Sequence, residues 1–255
     1  MARAWRIFGA ALVISTYFVT SPIAYGAFAV LGLFPTRDPI RRARHLQFVM
    51  MCGFRTMHAV LRWFWILDFA PRYVEGEIPS SPCVLVANHP TLTDISALLA
   101  TERGLVFPVK PDLFRSFWAR PLLAQAHHFE GAGPGAFTTA GQVIDEAVDR
   151  LARGYRVVVF PEGTRSPPKG LHPFGRAAFE IAVRAGVPVI PIVITCTPRW
   201  LSGNHGFLDP PAEVPKLRLR ALPAVHPEKA GSSSRTLRDI VFQQITSELG
   251  GAERP

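Results

Sequence analysis

Apolar residues along the chain follow two different regimes. Residues 7–34, "IFGAALVISTYFVTSPIAYGAFAVLGLF", carry no charge. As one helix this stretch would reach roughly 42 Å, longer than the roughly 30 Å of a hydrocarbon core. Pro22 predicts a break near its middle, leaving two arms of about 21 Å, each too short to span but able to dip into one leaflet. Arg3 and Arg6 precede the stretch, and Arg37, Arg41, Arg42 and Arg44 follow it. Cations on both flanks predict a hairpin with both ends on the cytoplasmic face; a single tilted span is the alternative. A secretory signal does not fit, because the stretch is too long and no Ala-x-Ala site closes it. Next, residues 38–69 open with a capping Asp38 and Pro39 at the first helical position. Arg41, Arg42, Arg44, Arg55 and Arg62 are scattered among its apolar residues, as in a basic helix lying on a bilayer. A core-packing helix with a charged edge fits the same pattern.

From about residue 72 the pattern changes to short β-branched runs. "CVLVA" (83–87), "LVFPV" (105–109), "RVVVF" (156–160), "VPVIPIVI" (187–194) and "LRLRAL" (217–222) predict strands. Residues 139–154 and 174–186 have helical spacing and close at Gly154 and Gly186, and 232–249 predicts a last amphipathic helix. Strands alternating with helices imply an α/β fold with a mostly parallel sheet flanked by helices. The Pro- and Gly-rich segment 198–216 predicts a surface excursion. The expected organisation is a membrane anchor at 1–36, a basic interfacial helix at 37–70, a catalytic domain at 71–250 and a loose tail at 251–255.

Composition narrows the partners. Hydrophobic residues make up 48% and charged ones 18%, with a formal net charge of +9 and eighteen Phe. Basic plus aromatic character fits nucleic acid or an anionic membrane surface. Interleaving of the early arginines with long apolar runs points to membrane lipid and away from nucleic acid. Cys52, Cys83 and Cys196 are far apart and lack metal-ligand or redox spacing, which predicts reduced, buried thiols. "GAGPGA" (131–136) mimics a dinucleotide fingerprint but follows no buried strand and contains Pro134. Neither a Gly-x-Ser-x-Gly elbow nor an HExxH zinc motif occurs, so no metal is expected.

Two loops carry the candidate chemistry. Strand 83–87 delivers Asn88 and His89 to its C-terminal edge, where α/β sheets present ligands. Asp94 lies one turn further on and can accept the Nδ1 proton of His89, leaving Nε2 as an outward base. Strand 156–160 runs into "PEGTRSPPKG" (161–170), which sets Glu162, Gly163, Thr164 and Arg165 on a second strand-end loop. A guanidinium there can hold a phosphate bidentately.

"NHPTLTD" (88–94), "FPEGTRS" (160–166) and "VPVIPI" (187–192) together resemble three of the four sequence blocks of the glycerophospholipid acyltransferases, over roughly residues 72–225. The best-known members are the bacterial 1-acylglycerol-3-phosphate acyltransferases. The resemblance implies transfer of a fatty acyl group from acyl-CoA or acyl-carrier protein, as co-substrate, to a hydroxyl of a lysolipid, with no cofactor. It makes His89 the general base and Asp94 its orienting partner. It makes Glu162, Gly163, Thr164 and Arg165 the acceptor loop, with Asn88 beside it and Pro191 shaping the acyl or donor site. One block departs: the stretch "AHHFEGAGPGAF" (126–137) keeps Phe129 but lacks the arginine that members use on the acceptor phosphate. Lys110 or Arg115 would have to substitute, and His127 or His128 could hydrogen-bond an acceptor. The same loop with "PVIPIVITCTPRWL" is also similar to acyltransferases of aryl-polyene-type lipid pathways, so a non-phosphate acceptor stays open. A catalytically idle membrane-binding homologue is the alternative of another class.

Overall fold

Fully apolar strands can be stable only where both faces are covered. In the computed structural model, which describes residues 4–9, 11, 38–117, 119–133, 139–203 and 209–252, this requirement is met by a six-stranded sheet. The strands are β1 (Val74–Glu75), β2 (Val84–Ala87), β3 (Leu105–Val106), β6 (Arg156–Val159), β7 (Val189–Thr197) and β8 (Lys216–Ala221), in the order β1-β8-β7-β2-β6-β3. All neighbours pair parallel except β7 and β8, which are antiparallel. In the centre Val86 stands level with Val159 on one side and Pro191 on the other, so β2 and β6 end together while β7 runs on to Thr197.

Side chains alternate across this sheet into two cores. Leu85, Ala87, Ile190, Ile192 and Ile194 face one way, against α1 (Pro39–Trp63) and α2 (Asp94–Thr101). Val84, Val86, Val189 and Val193 face the other way, against α5 (Ala140–Ala152), α6 (Ala177–Ala185) and α7 (Ser234–Ala252). Helix α5 starts with a reciprocal capping box between Thr139 and Gln142. At the start of α1, Asp38 accepts the amide of Ile40 at 2.9 Å, and Pro39 follows as expected. Gly186 closes α6 at φ 64°, a left-handed conformation that suits glycine.

Several expectations change. The run 105–109 is not one strand. Pro108 has no amide to continue the ladder to β6, so the chain leaves at Phe107 and a new strand, β4 (Pro108–Val109), pairs parallel with β5 (Phe129–Glu130). Two short helices, α3 (Pro111–Phe114) and α4 (Arg120–Gln125), connect them. Helix 174–186 begins only at Ala177, because the amide of Gly175 is held by the carbonyl of Pro161 at 2.8 Å. Segment 198–216 is not a surface excursion throughout: Trp200, Leu201 and Ser202 are buried. The closing helix continues to Ala252, beyond the expected start of a loose tail. Helix α1 ends at Trp63 and buries Leu46, Met51, His58 and Leu61, packing mainly on α2, while Phe48, Val60 and Trp63 stay exposed. It is therefore part of the packed body. The three cysteines are free; Cys83 and Cys196 are buried and Cys52 is partly so.

The predicted hairpin lies largely outside the described residues. Within them, residues 4–9 are helical, Trp5 Nε1 donates to the carbonyl of Phe64 at 3.3 Å, and Arg6 donates to the carbonyls of Pro211 and Ala212. Among the described residues no helix is long and apolar enough to cross a membrane. Open space surrounds the position of a Cβ on Gly186, so only backbone strain opposes a side chain there. Gly186→Ala should therefore cost about 1–2 kcal/mol, read as a lowered urea midpoint with an unchanged slope.

Candidate active site

The sheet delivers its functional groups at the shared C-terminal edge of β2 and β6. Asn88, expected at a substrate, is instead a buried clamp. Its Oδ1 accepts the Ile194 amide at 2.7 Å and its Nδ2 donates to the Ile194 carbonyl at 2.8 Å. The side-chain amide thus prolongs the β2–β7 ladder after Ala87 has paired with Ile192. With the strand locked, His89 turns out of the sheet and Pro90–Thr93 fold into the start of α2.

Asp94 sits wholly buried at that start, and its Oδ2 accepts both His89 Nδ1 and the Thr91 amide at 2.9 Å. This bond assigns the proton to Nδ1 and leaves Nε2 with its lone pair. Among the described residues Nε2 has no hydrogen-bond partner, and the imidazole is 15% exposed. Burial pushes the Asp94 carboxyl up to about 6, against the opposing pull of the His89 hydrogen bond. Phe160 stacks on the imidazole at 4.5 Å between centroids and restricts the ring to one plane.

The second loop is stitched to the first at one peptide. Gly163 takes φ 68° and its amide reaches back to the Phe160 carbonyl at 3.1 Å, making a turn directly after β6. That turn sends Glu162 inward. Its Oε1 accepts the His89 amide at 3.2 Å and the Ser166 hydroxyl, while Oε2 accepts the His172 amide at 2.9 Å. Ser166 completes the stitch: its hydroxyl oxygen lies 3.0 Å from the His89 amide and its own amide donates to the His89 carbonyl at 2.8 Å. Glu162 therefore acts on the backbone of the histidine, whereas the resemblance placed it on an acceptor. Gly163 and Thr164 are exposed at the loop tip.

Arg165 is engaged by a third segment. Its Nη1 donates at 3.0 Å to the carbonyls of Leu201 and Ser202, and the Leu92 amide also reaches the Leu201 carbonyl at 3.1 Å. Leu201 holds φ 55°, a conformation that side chains other than glycine enter at a cost. Arg199 fastens the other side of this segment by donating to the Pro167 carbonyl. Nη2 and Nε of Arg165 have no further hydrogen bond among the described residues.

The remaining expected residues lie further out. Lys110 is exposed where β4 ends. Arg115 forms an ion pair with Glu130 at 3.1 Å, beside the place of the missing arginine. Pro191 lies inside β7, and its carbonyl accepts the Leu222 amide at 2.8 Å. The side without a donor faces the point where the β8 ladder ends at Ala221, which is why a central strand tolerates proline. His128 accepts the Phe107 amide at Nδ1 and is buried. No three His, Cys, Asp or Glu side chains among the described residues gather to hold a metal ion.

The stretch that carries both loops is matched in known proteins. Residues 71–195 match the family described as Acyltransferase. That match spans just under half of the chain. An acyltransferase relative from Brassica napus, the chloroplastic 1-acyl-sn-glycerol-3-phosphate acyltransferase BAT2, is 32% identical over 61% of this chain and 47% of its own length. The Mus musculus 1-acyl-sn-glycerol-3-phosphate acyltransferase alpha is 27% identical over 83% of this chain and 76% of its own. The chain spans about half the length of the Brassica napus protein and of Arabidopsis thaliana LPAT1. The crystal structure of the 1-acyl-sn-glycerophosphate acyltransferase PlsC from Thermotoga maritima shares the fold, with a TM-score of 0.77 at 23% identity over 99% of this chain and 98% of that one.

Within this fold, sequence reasoning missed Ser166, His172 and the Leu201–Ser202 carbonyls. Ser166 stood inside a quoted block; carbonyl acceptors leave no mark in a sequence. Asn88→Ala should lower unfolding free energy by about 1–3 kcal/mol in urea titration, the cost of unmaking buried hydrogen bonds. Glu162→Gln removes the charge from the stitch, so amide exchange at His89 should quicken by about 10- to 100-fold, read by mass spectrometry of the 86–92 segment.

Proposed function

We propose that this protein transfers a fatty acyl group from an acyl thioester, on coenzyme A or acyl-carrier protein, to the free hydroxyl of 1-acylglycerol-3-phosphate at a membrane surface. The observation that carries the reading is the His89–Asp94 pair, with Nδ1 held by a buried carboxylate at 2.9 Å and Nε2 left open at a strand end. A thioester is already activated, so the reaction needs a base and a positioned acceptor. Nε2 takes the hydroxyl proton as the acceptor oxygen bonds to the thioester carbonyl carbon. The tetrahedral adduct then collapses, the carbon–sulfur bond breaks, and the imidazolium returns the proton to the departing thiolate. Asp94 stays ionised and stabilises the imidazolium across the same 2.9 Å bond. The family match over residues 71–195 and the activities named for the relatives support this chemistry.

Arg165 supplies the acceptor-phosphate contact through its Nε and Nη2 edge, held in place by the two carbonyls on Nη1. Lys110 assists from the exposed end of β4. Gly131 lies in the stretch where the second-block arginine is missing. It cannot simply be replaced, because a Cβ there would meet the Val109 carbonyl at 3.2 Å. Membrane attachment rests on the uncharged stretch 7–34, which we read as a hairpin, and on the arginines and exposed Phe48, Val60 and Trp63 of α1.

His89→Ala should reduce transfer by about 10²–10⁴-fold with folding and membrane attachment intact; near-normal turnover by the purified variant refutes the mechanism. Protonation of Asp94 removes the acceptor for Nδ1–H, so kcat/KM should fall as pH drops through about 6. That limb belongs to the coupled pair, and a flat profile down to about pH 5 counts against it. For the hairpin, single cysteines placed at positions 3 and 37 should both resist an impermeant thiol reagent applied outside sealed cells. Labelling of position 3 alone rejects the hairpin in favour of a span.

A further inference from the structure

We propose that the cavity beside His128 is a subsite for uncharged hydroxylated groups, a polyol either free or carried as a lipid headgroup. The backbone is shaped to build it. After α4 ends, His127 takes φ 65°, a strained left-handed turn, and Arg150 braces that turn by donating from Nε to the His127 carbonyl at 2.9 Å. The turn drives His128 inward until it is 3% exposed.

The protonation of His128 follows from its surroundings. Nδ1 accepts the Phe107 amide at 3.1 Å, so the ring proton sits on Nε2. Burial pushes the pKa down to about 4, which keeps the ring neutral with a single N–H. That N–H is buried and has no hydrogen-bond partner among the described residues. Buried donors are almost always satisfied, so one in a cavity wall points to a bound group.

The cavity holds about 340 Å³. Besides His128 it presents two carboxylates, each already neutralised: Glu130 by Arg115 at 3.1 Å and Glu146 by Arg150 at 2.9 Å. Gln142 adds an amide, and Phe114 and Phe129 add flat apolar faces. An anion here would meet both carboxylates, and a cation would meet two guanidinium groups and an N–H. A hydroxyl donates and accepts at once, so it satisfies His128 and the carboxylates together, while the C–H faces of a polyol pack on the rings. The cavity is separate from the catalytic base: Phe160 stacks on His89, and Phe107 stands between Phe160 and His128.

The test needs no acyl transfer. Saturation-transfer NMR on the full chain in detergent micelles would be run with glycerol and myo-inositol as free probes. A second arm uses micelles carrying monoacyl phosphatidylglycerol, against lysophosphatidic acid. We expect saturation of polyol protons in the wild type, its loss in His128→Phe, and binding about two- to tenfold weaker in Glu146→Ala, where one hydrogen bond goes. Glu146 is half exposed and on the cavity rim, so Glu146→Ala decides the matter even if His128→Phe fails to fold. A headgroup signal without a free-polyol signal assigns the ligand to lipid; signals from both assign the shared chemistry. Silence from every polyol, meaning a cavity holding water alone, overturns the proposal, as does equal binding by wild type and Glu146→Ala. Absence of acyl transfer by the same preparation would count against the catalytic reading and leave this one standing.

Discussion

The peptide group of His89 is the point on which the site depends. Its amide faces Glu162 Oε1 and Ser166 Oγ, and its carbonyl accepts from the Ser166 amide. A histidine one residue beyond a strand end would ordinarily ride on a mobile loop. Here the backbone on which it turns is fixed from a neighbouring strand, and only the side chain is left to be oriented. Asp94 and Phe160 then set the ring's rotation and plane. A general base works only when its lone pair comes within hydrogen-bond reach, about 2.6–3.2 Å between heavy atoms, of the proton it removes. The glutamate of the second block is thus part of positioning the histidine of the first.

Burial of Asp94 illustrates how competing terms are balanced. Removing a carboxylate from water disfavours its charge, while the His89 bond and the Thr91 amide favour it. Burial wins by enough to lift the carboxyl, yet ionisation at neutral pH is kept. The result is a strong acceptor for Nδ1–H in a place where water cannot compete. A solvent-exposed aspartate at the same spacing would orient the ring far less firmly.

The legible parts of the sequence were those whose signal is local. Runs such as "CVLVA" and "RVVVF" became β2 and β6 nearly to the residue, and Asp38, Thr139 and Gly186 marked helix ends. The His89–Asp94 contact was legible for the same reason, since one turn of chain joins the partners. What escaped was non-local. Asn88 looks like a site residue in sequence, and only the β7 register shows that Ile194 engages both ends of its amide. Pro108 splits a strand because β5, distant in sequence, offers its first residues a second partner. Segment 198–203 reads as a loop by composition, yet Trp200 and Leu201 are buried and the Leu201 and Ser202 carbonyls hold Arg165.

The shared carbonyl of Leu201 has a kinetic meaning. It joins the amide of Leu92 and the guanidinium of Arg165, so three stretches separated by tens of residues must meet before the left-handed turn at Leu201 is offset. Loop closure of that length costs entropy, and contacts distant in sequence slow folding. The site is accordingly complete only when the chain as far as Ser202 is present. A chain emerging from synthesis therefore cannot anchor Arg165 or the Leu92 amide until β7 and the segment beyond it have arrived.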